Sequence, residues 1–212
     1  MDISTNMAAD TSLPRIYLAS TSPRRRELLQ QIGIDFDTLF FRIPPREDDD
    51  ISEDIIGNET ATEYVVRVAA AKAEGAMRRI VWRKLRRQAV LSADTTLEVE
   101  GEIIGKPNDA EHAKQILRKL SGREHRVLTA VALADGDILK QRLSISTVRM
   151  REISEEEIAA YIESGEPFGK AGAYGIQGRA AAFISEIHGS YSGIMGLPLF
   201  ETAELLREFS QG

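Results

Sequence analysis

Ile16 to Ala19 form a short apolar run that gives way to Ser20-Thr21-Ser22-Pro23, after which Leu28, Leu29 and Ile32 recur at helical spacing until Gly33. A strand shows a brief apolar stretch, whereas a helix returns an apolar side chain every three or four residues. The order predicted is therefore strand, loop, helix. Residues 42–58 carry two prolines, a run of acids and a glycine, which predicts an exposed loop. From about Thr60 to Gln88 the pattern is helical again, with Tyr64, Val65, Val68 and Ala69 on one face.

Ala89 to Ala93 reads as a buried strand, and Leu97 to Ile104 as a hairpin turning at Glu100-Gly101. Asn108 is expected to cap a helix that runs to Leu120, just before Gly122. Val127 to Leu133 and Ile138 to Val148 form a second hairpin around Asp135-Gly136. Ser154-Glu155-Glu156-Glu157 is a capping box for a helix through Ile162, and Leu199 to Phe209 gives a final amphipathic helix. Helices interleave with strands and hairpins, without internal repeats. The expectation is one α/β domain over residues 1–212, with a mixed, twisted sheet flanked by helices and a frayed N-terminus over 1–14.

Composition narrows this picture. A chain of 212 residues with 42% apolar content can build one substantial core, or two small lobes around a cleft. A formal net charge of −6 argues against nucleic acid or an anionic membrane as partner, so an anionic ligand needs a local basic pocket. The absence of cysteine excludes disulfides, thiol nucleophiles and zinc–thiolate sites. Three histidines are too few for a histidine metal cluster. The first fourteen residues have no basic or apolar segment of a signal peptide, and no run approaches a membrane span, which predicts a cytoplasmic protein.

The candidate chemistry lies in a few segments. Ser22 and Pro23 suit the N-cap and first position of a helix, which places Arg24, Arg25 and Arg26 in a first turn that favours anions over cations. Either a phosphate compensates them, on the backbone N–H groups and guanidinium forks, or surface acids such as Glu27 do. As an isolated first-turn cation, Arg25 contributes little to the fold, and its removal is expected to leave stability unchanged or raised. Asp94 directly follows the strand Ala89 to Ala93, at a carboxyl end where ligands usually bind. It suits activating a water, holding a divalent metal, or capping the turn through Thr95 and Thr96. Lys106 is held between Gly105 and Pro107, which fixes where it points, and Lys72 sits among alanines, which suits a close approach; an ordinary solvated cation is the more frequent outcome for any lysine. Gly169 to Gly178 holds four glycines, fit for close ligand approach or for an irregular loop. His188 is read as packing, because no acidic partner for it is apparent, and the basic stretch RRIVWRKLRRQ as a solvated face rather than a nucleic-acid patch.

Together, the segments LASTSPRRRELL, YVVRVAAAKA, SADTTLEVEGEIIGKPNDAEHA, LSGREHRVLTAVAL, GKAGAYGIQGRAAAF and IHGSYSGIMGLPLFET resemble, in order and across nearly the whole chain, the Maf family of nucleotide pyrophosphatases. The resemblance implies two lobes around a deep cleft, a homodimer, a divalent metal such as magnesium or manganese, and hydrolysis of nucleoside triphosphates between the α and β phosphates. By position it makes Asp94 the proton acceptor and a metal ligand, and Ser20, Arg24, Arg25, Lys72 and Lys106 the phosphate-binding residues. Arg24, Thr95 and Gln177 match positions tied to substrate choice. One departure is that an acidic pair frequent in the family after the first helix is replaced by Pro44-Pro45-Arg46, so either Glu47, Asp48 or another acid of the loop stands in, or the metal is held differently.

The base follows from donor and acceptor matching. Uracil and thymine show an N–H flanked by carbonyls, which the Gln177 amide can meet with one acceptor and one donor; guanine shows two neighbouring donors, which suit a carboxylate. The stretch GAYGIQG thus resembles the dTTP/UTP branch. The alternatives are a pyrophosphatase for 7-methyl-GTP or other modified nucleotides, and a non-enzymatic interaction protein of cell division. The latter gives no reason for Arg24, Asp94 and Lys106.

Overall fold

The computed structural model describes residues 15–39 and 52–210. The Pro44-Pro45-Arg46 departure, Glu47, Asp48 and the N-terminal segment 1–14 lie outside the described residues.

Strand β1 (Ile16–Leu18) leads into α1 (Pro23–Gln31) and β2 (Phe36–Thr38), and after the loop comes the long helix α2 (Ala61–Trp82). There follow β3 (Val90–Val99), β4 (Glu102–Ile104), α3 (Ala110–Leu120), β5 (Glu124–Asp135) and β6 (Ile138–Met150). The chain closes with α4 (Glu155–Glu163), β7 (Ile184–His188), α5 (Tyr191–Met195) and α6 (Leu199–Ser210). The described strands form one seven-stranded sheet in the order β2-β1-β3-β5-β6-β7, with β4 paired to β3. β1 runs parallel to β2 and β3, and every other pairing is antiparallel, so the sheet is mixed as expected.

Apolar side chains divide over three clusters. On one sheet face Val65, Ala69, Ala73 and Ala76 of α2 pack on Val90, Leu128, Ala130 and Ala132, where alanines let helix and sheet lie close. The opposite face carries Leu28, Leu29, Leu91, Val131, Leu205 and Leu206. A third cluster gathers Leu97, Ile116, Leu117, Val127, Met150 and Tyr161 around α3 and α4. Strand β3 enters all three, with Val90 in the first, Leu91 and Ala93 in the second, and Leu97 and Val99 in the third. The residues between Ala93 and Leu97 are Asp94, Thr95 and Thr96, so the polar stretch of β3 falls where the clusters part.

Local expectations needed correction where tertiary contacts decide. Asp94 lies inside a ten-residue strand rather than after it, because β5 pairs with β3 from Val90 to Glu98 and leaves no turn to cap. Helix α2 stops at Trp82, short of Gln88. There Lys84 takes φ 50, and the amides of Lys84 and Leu85 donate back to the carbonyls of Val81 and Ile80, a Schellman ending that puts much of the basic stretch outside the helix. The α3 cap is Asp109, whose carboxylate accepts from His112 N at 2.7 Å, and not Asn108. The turn at Glu100-Gly101 does form, with φ 53 and 82, and so do the capping box at Ser154 and the terminal helix. No helix among the described residues is long and apolar enough to cross a membrane.

Candidate active site

β1 delivers Ser20 and the first turn of α1 to the mouth of a cavity of about 780 Å³. Ser22 is the N-cap and Pro23 the first helical residue, but the Ser22 side chain makes no capping bond; its amide donates instead to Ser20 Oγ at 3.1 Å. The phosphate candidates Ser20, Arg24, Arg25, Lys72 and Lys106 all line this cavity, and so do Asp94, Thr95 and Gln177. Arg26 turns back to Thr21 O at 3.2 Å and is not among the lining residues.

Arg25 is not the isolated first-turn cation of the sequence reading. Its Nε donates to Gly196 O at 2.7 Å, Nη1 to Ser20 Oγ at 3.4 Å and Nη2 to Thr95 Oγ1 at 3.3 Å. Thr129 Oγ1 lies 3.0 Å from Thr95 Oγ1 and donates to Gly193 O at 2.8 Å. Each hydroxyl has one proton, so the chain is directional: Arg25 donates to Thr95, Thr95 to Thr129, and Thr129 to Gly193 O. This orients the guanidinium fork and ties α1 to the segment around α5. Burial pulls Arg25 below its ordinary pKa, Asp94 acts the other way, and Arg24 adds to the lowering.

The carboxylates form an alternating chain with the lysines. Lys72 Nζ lies 2.7 Å from Asp94 Oδ1 and 2.7 Å from Glu53 Oε1, and Lys106 Nζ lies 3.6 Å from Glu53 Oε2. Burial works against ionisation of Glu53, but Lys72 and Lys106 outweigh it and hold the carboxyl below its usual range. Tyr64 OH donates to the Glu53 carbonyl at 3.0 Å, and burial together with Asp94 and Glu53 pushes that phenol up to about 12. Glu53 belongs to the acidic loop flagged in the sequence, yet its part in the site was not read there. Nothing in its local residue pattern separates it from its neighbours; only the fold brings it to Lys72.

The glycine-rich segment also lines the cavity, with Lys170, Tyr174 and Gln177. At Gly172, φ 71 and the Leu97 side chain lying where a Cβ would project require glycine. Tyr174 is anchored from behind by His125, whose Nε2 lies 2.8 Å from the phenol oxygen, the rings meeting edge-on at 5.5 Å. Burial lowers the His125 pKa from 6.5 to about 4. The unfolded chain takes up this proton at about 6.5, so the contribution is present above that pH and is lost as pH falls towards 4. The loss should reach roughly 3 kcal/mol. Urea midpoints measured from pH 7 to pH 4 should fall over that window, and the slope should flatten in His125→Gln. His188, read as packing without an acidic partner, does have one, Glu186 at 2.9 Å; the pair is exposed and lies outside the cavity.

Residues 15–209 match the family described as "Maf-like protein". The chain is similar to three relatives named "dTTP/UTP pyrophosphatase". It is 61% identical to that of Aromatoleum aromaticum over 92% of this chain and 95% of the relative. To the Dechloromonas aromatica protein it is 56% identical over 91% and 96%, and to the Ralstonia nicotianae protein 56% over 92% and 94%. Among solved structures it is similar to the Ham1 protein of Staphylococcus aureus, with TM-score 0.49 and 17% identity over 94% of this chain and 99% of that one.

Proposed function

From the fact that the chain belongs to the Maf family, we propose that it is a nucleoside triphosphate pyrophosphatase acting on dTTP and UTP, releasing the monophosphate and pyrophosphate. The observation that carries this reading is that Asp94, Lys72, Glu53 and Lys106, alternating in charge, line one cavity together with Arg24, Arg25 and Gln177.

In this reading Arg24, Arg25, Ser20 and the two lysines grip the triphosphate, the arginines by the planar forks that suit phosphate. Asp94 accepts the proton of a water whose oxygen bonds to the α phosphorus, while the bridging oxygen leaves with pyrophosphate. Lys72, 2.7 Å from Asp94, holds that carboxylate in place. Positive groups around the leaving pyrophosphate stabilise the charge that develops there.

Asp94 and Glu53 also fit a divalent cation of the magnesium or manganese kind, since both offer hard oxygen donors. No group of three or more His, Asp or Glu stands together among the described residues, so phosphate oxygens and water would complete the coordination. When bound, the cation supplies charge neutralisation on the triphosphate and polarises its oxygens. A cytoplasmic homodimer is part of the same reading, carried by the family resemblance.

Base choice falls to Gln177, which can accept from the pyrimidine N3–H and donate to a neighbouring carbonyl. Gln177→Glu keeps the size and loses the donor, so kcat/KM on UTP and dTTP should fall at least roughly tenfold more than on GTP and 7-methyl-GTP. Equal proportional losses on all four nucleotides would show that Gln177 only shapes the loop.

A further inference from the structure

The Gln177 amide leaves an ambiguity. Its carbonyl and NH₂ can face uracil, but after a half-turn about the last side-chain bond they equally match the N3 acceptor and amino donor of cytosine. An enzyme that separates the two pyrimidines needs a second group near Gln177 that is a donor only.

Lys170 stands in that place. It lines the same cavity, and a Cβ built on Gly175 would lie 3.1 Å from Lys170 Cε and 3.5 Å from Gln177 Oε1. The two side chains therefore border one point, and the absence of a side chain on Gly175 makes room for both. The backbone around them is locked. Glu166 accepts from Tyr161 OH at 2.8 Å and from Arg179 N at 3.0 Å, its carboxylate fills the space where a Cβ of Gly178 would project, and its carbonyl accepts from Lys170 Nζ. The groups that face the ammonium electrostatically are Arg24 and Glu166. Burial and then Arg24 lower its pKa from 10.5, so the charge is held at a desolvation cost that a carbonyl oxygen of a bound base would relieve.

We propose that Lys170 selects the base, its ammonium donating to the O4 carbonyl of uracil or thymine while Gln177 meets N3–H and the remaining carbonyl. Cytosine carries an amino group in place of O4, so the donor-only ammonium would face another donor and the cytosine orientation of Gln177 is rejected. The assignment rests on the pyrimidine reading of the site given above.

The test compares kcat/KM for UTP and CTP in the wild-type enzyme, Lys170→Met and Lys170→Arg, together with inhibition by inorganic tripolyphosphate. Lys170→Met should lose roughly 10- to 100-fold on UTP with no matching loss on CTP, so the UTP preference narrows by at least about tenfold. Lys170→Arg keeps a donor-only cation and should keep most of the preference, which shows that the loop tolerates substitution. Tripolyphosphate inhibition should be unchanged in both variants. Equal losses on UTP and CTP, or weakened tripolyphosphate inhibition, would overturn the proposal by making Lys170 a loop or phosphate residue. A wild-type enzyme equally active on UTP and CTP overturns the pyrimidine-edge reading itself, before any variant is compared.

Discussion

Replacing Asp94 with asparagine should lower kcat on UTP by ~10²–10⁴-fold, the usual contribution of a general base, while the protein still folds. The side chains are nearly the same size, and Asp94 sits within β3, opposite Ala130 of β5, so its backbone position does not depend on the carboxylate. Asn keeps an oxygen for Lys72, which also retains Glu53 at 2.7 Å, so no unpaired buried cation is created. What disappears is the capacity to take a proton from water. Pyrophosphate release at saturating UTP, beside a thermal melt of each protein, measures both halves; near-normal turnover would remove Asp94 from the chemistry.

Arg25→Ala should raise KM for UTP by roughly 10- to 100-fold and also destabilise the fold, unlike the outcome expected for a lone cation in a helix's first turn. The guanidinium spans from α1 to Gly196 O, 2.7 Å away in a buried residue, and to Thr95 on β3. Its loss leaves that carbonyl without its donor, a cost of about 1–3 kcal/mol. Lysine cannot restore three differently directed bonds from one ammonium, so Arg25→Lys should recover less than half of either effect. Urea melts and the KM for UTP check this together; a normal KM with an unchanged melt would mean that the network contributes nothing measurable.

The contrast between these residues shows what the chain discloses on its own. Ser20, Arg24, Asp94 and Lys106 are legible as cavity-lining residues because each sits at a punctuated point, a loop around a proline, the polar end of an apolar run, or a lysine between glycine and proline. The Ser154 box and the Glu100-Gly101 turn are local chemistry, and they form as read. Glu53 is different in kind. It is one acid among several, and its place in the cavity comes from lying against Lys72 and Lys106, a contact across a loop that residue spacing does not encode. The three-residue strand β2 and the edge strand β7 are likewise too short, or too exposed, to leave a period in the sequence. The basic end of α2 looks helical in composition, and it took the left-handed Lys84 to end it. Arg25 shows the same limit from the energetic side: its partners on β3 and beside α5 are 70 and 171 residues away in sequence.

The most direct measurement is turnover of an equimolar mixture of UTP, dTTP, CTP, ATP, GTP and 7-methyl-GTP with magnesium, with every nucleotide product resolved by ion-exchange chromatography and the phosphorus products by ³¹P NMR. UTP and dTTP should disappear first, each yielding its monophosphate and one equivalent of pyrophosphate. Diphosphates with orthophosphate would contradict cleavage between the α and β phosphates, and consumption of all six at one rate, or of 7-methyl-GTP first, would contradict a site built to read the uracil and thymine edge.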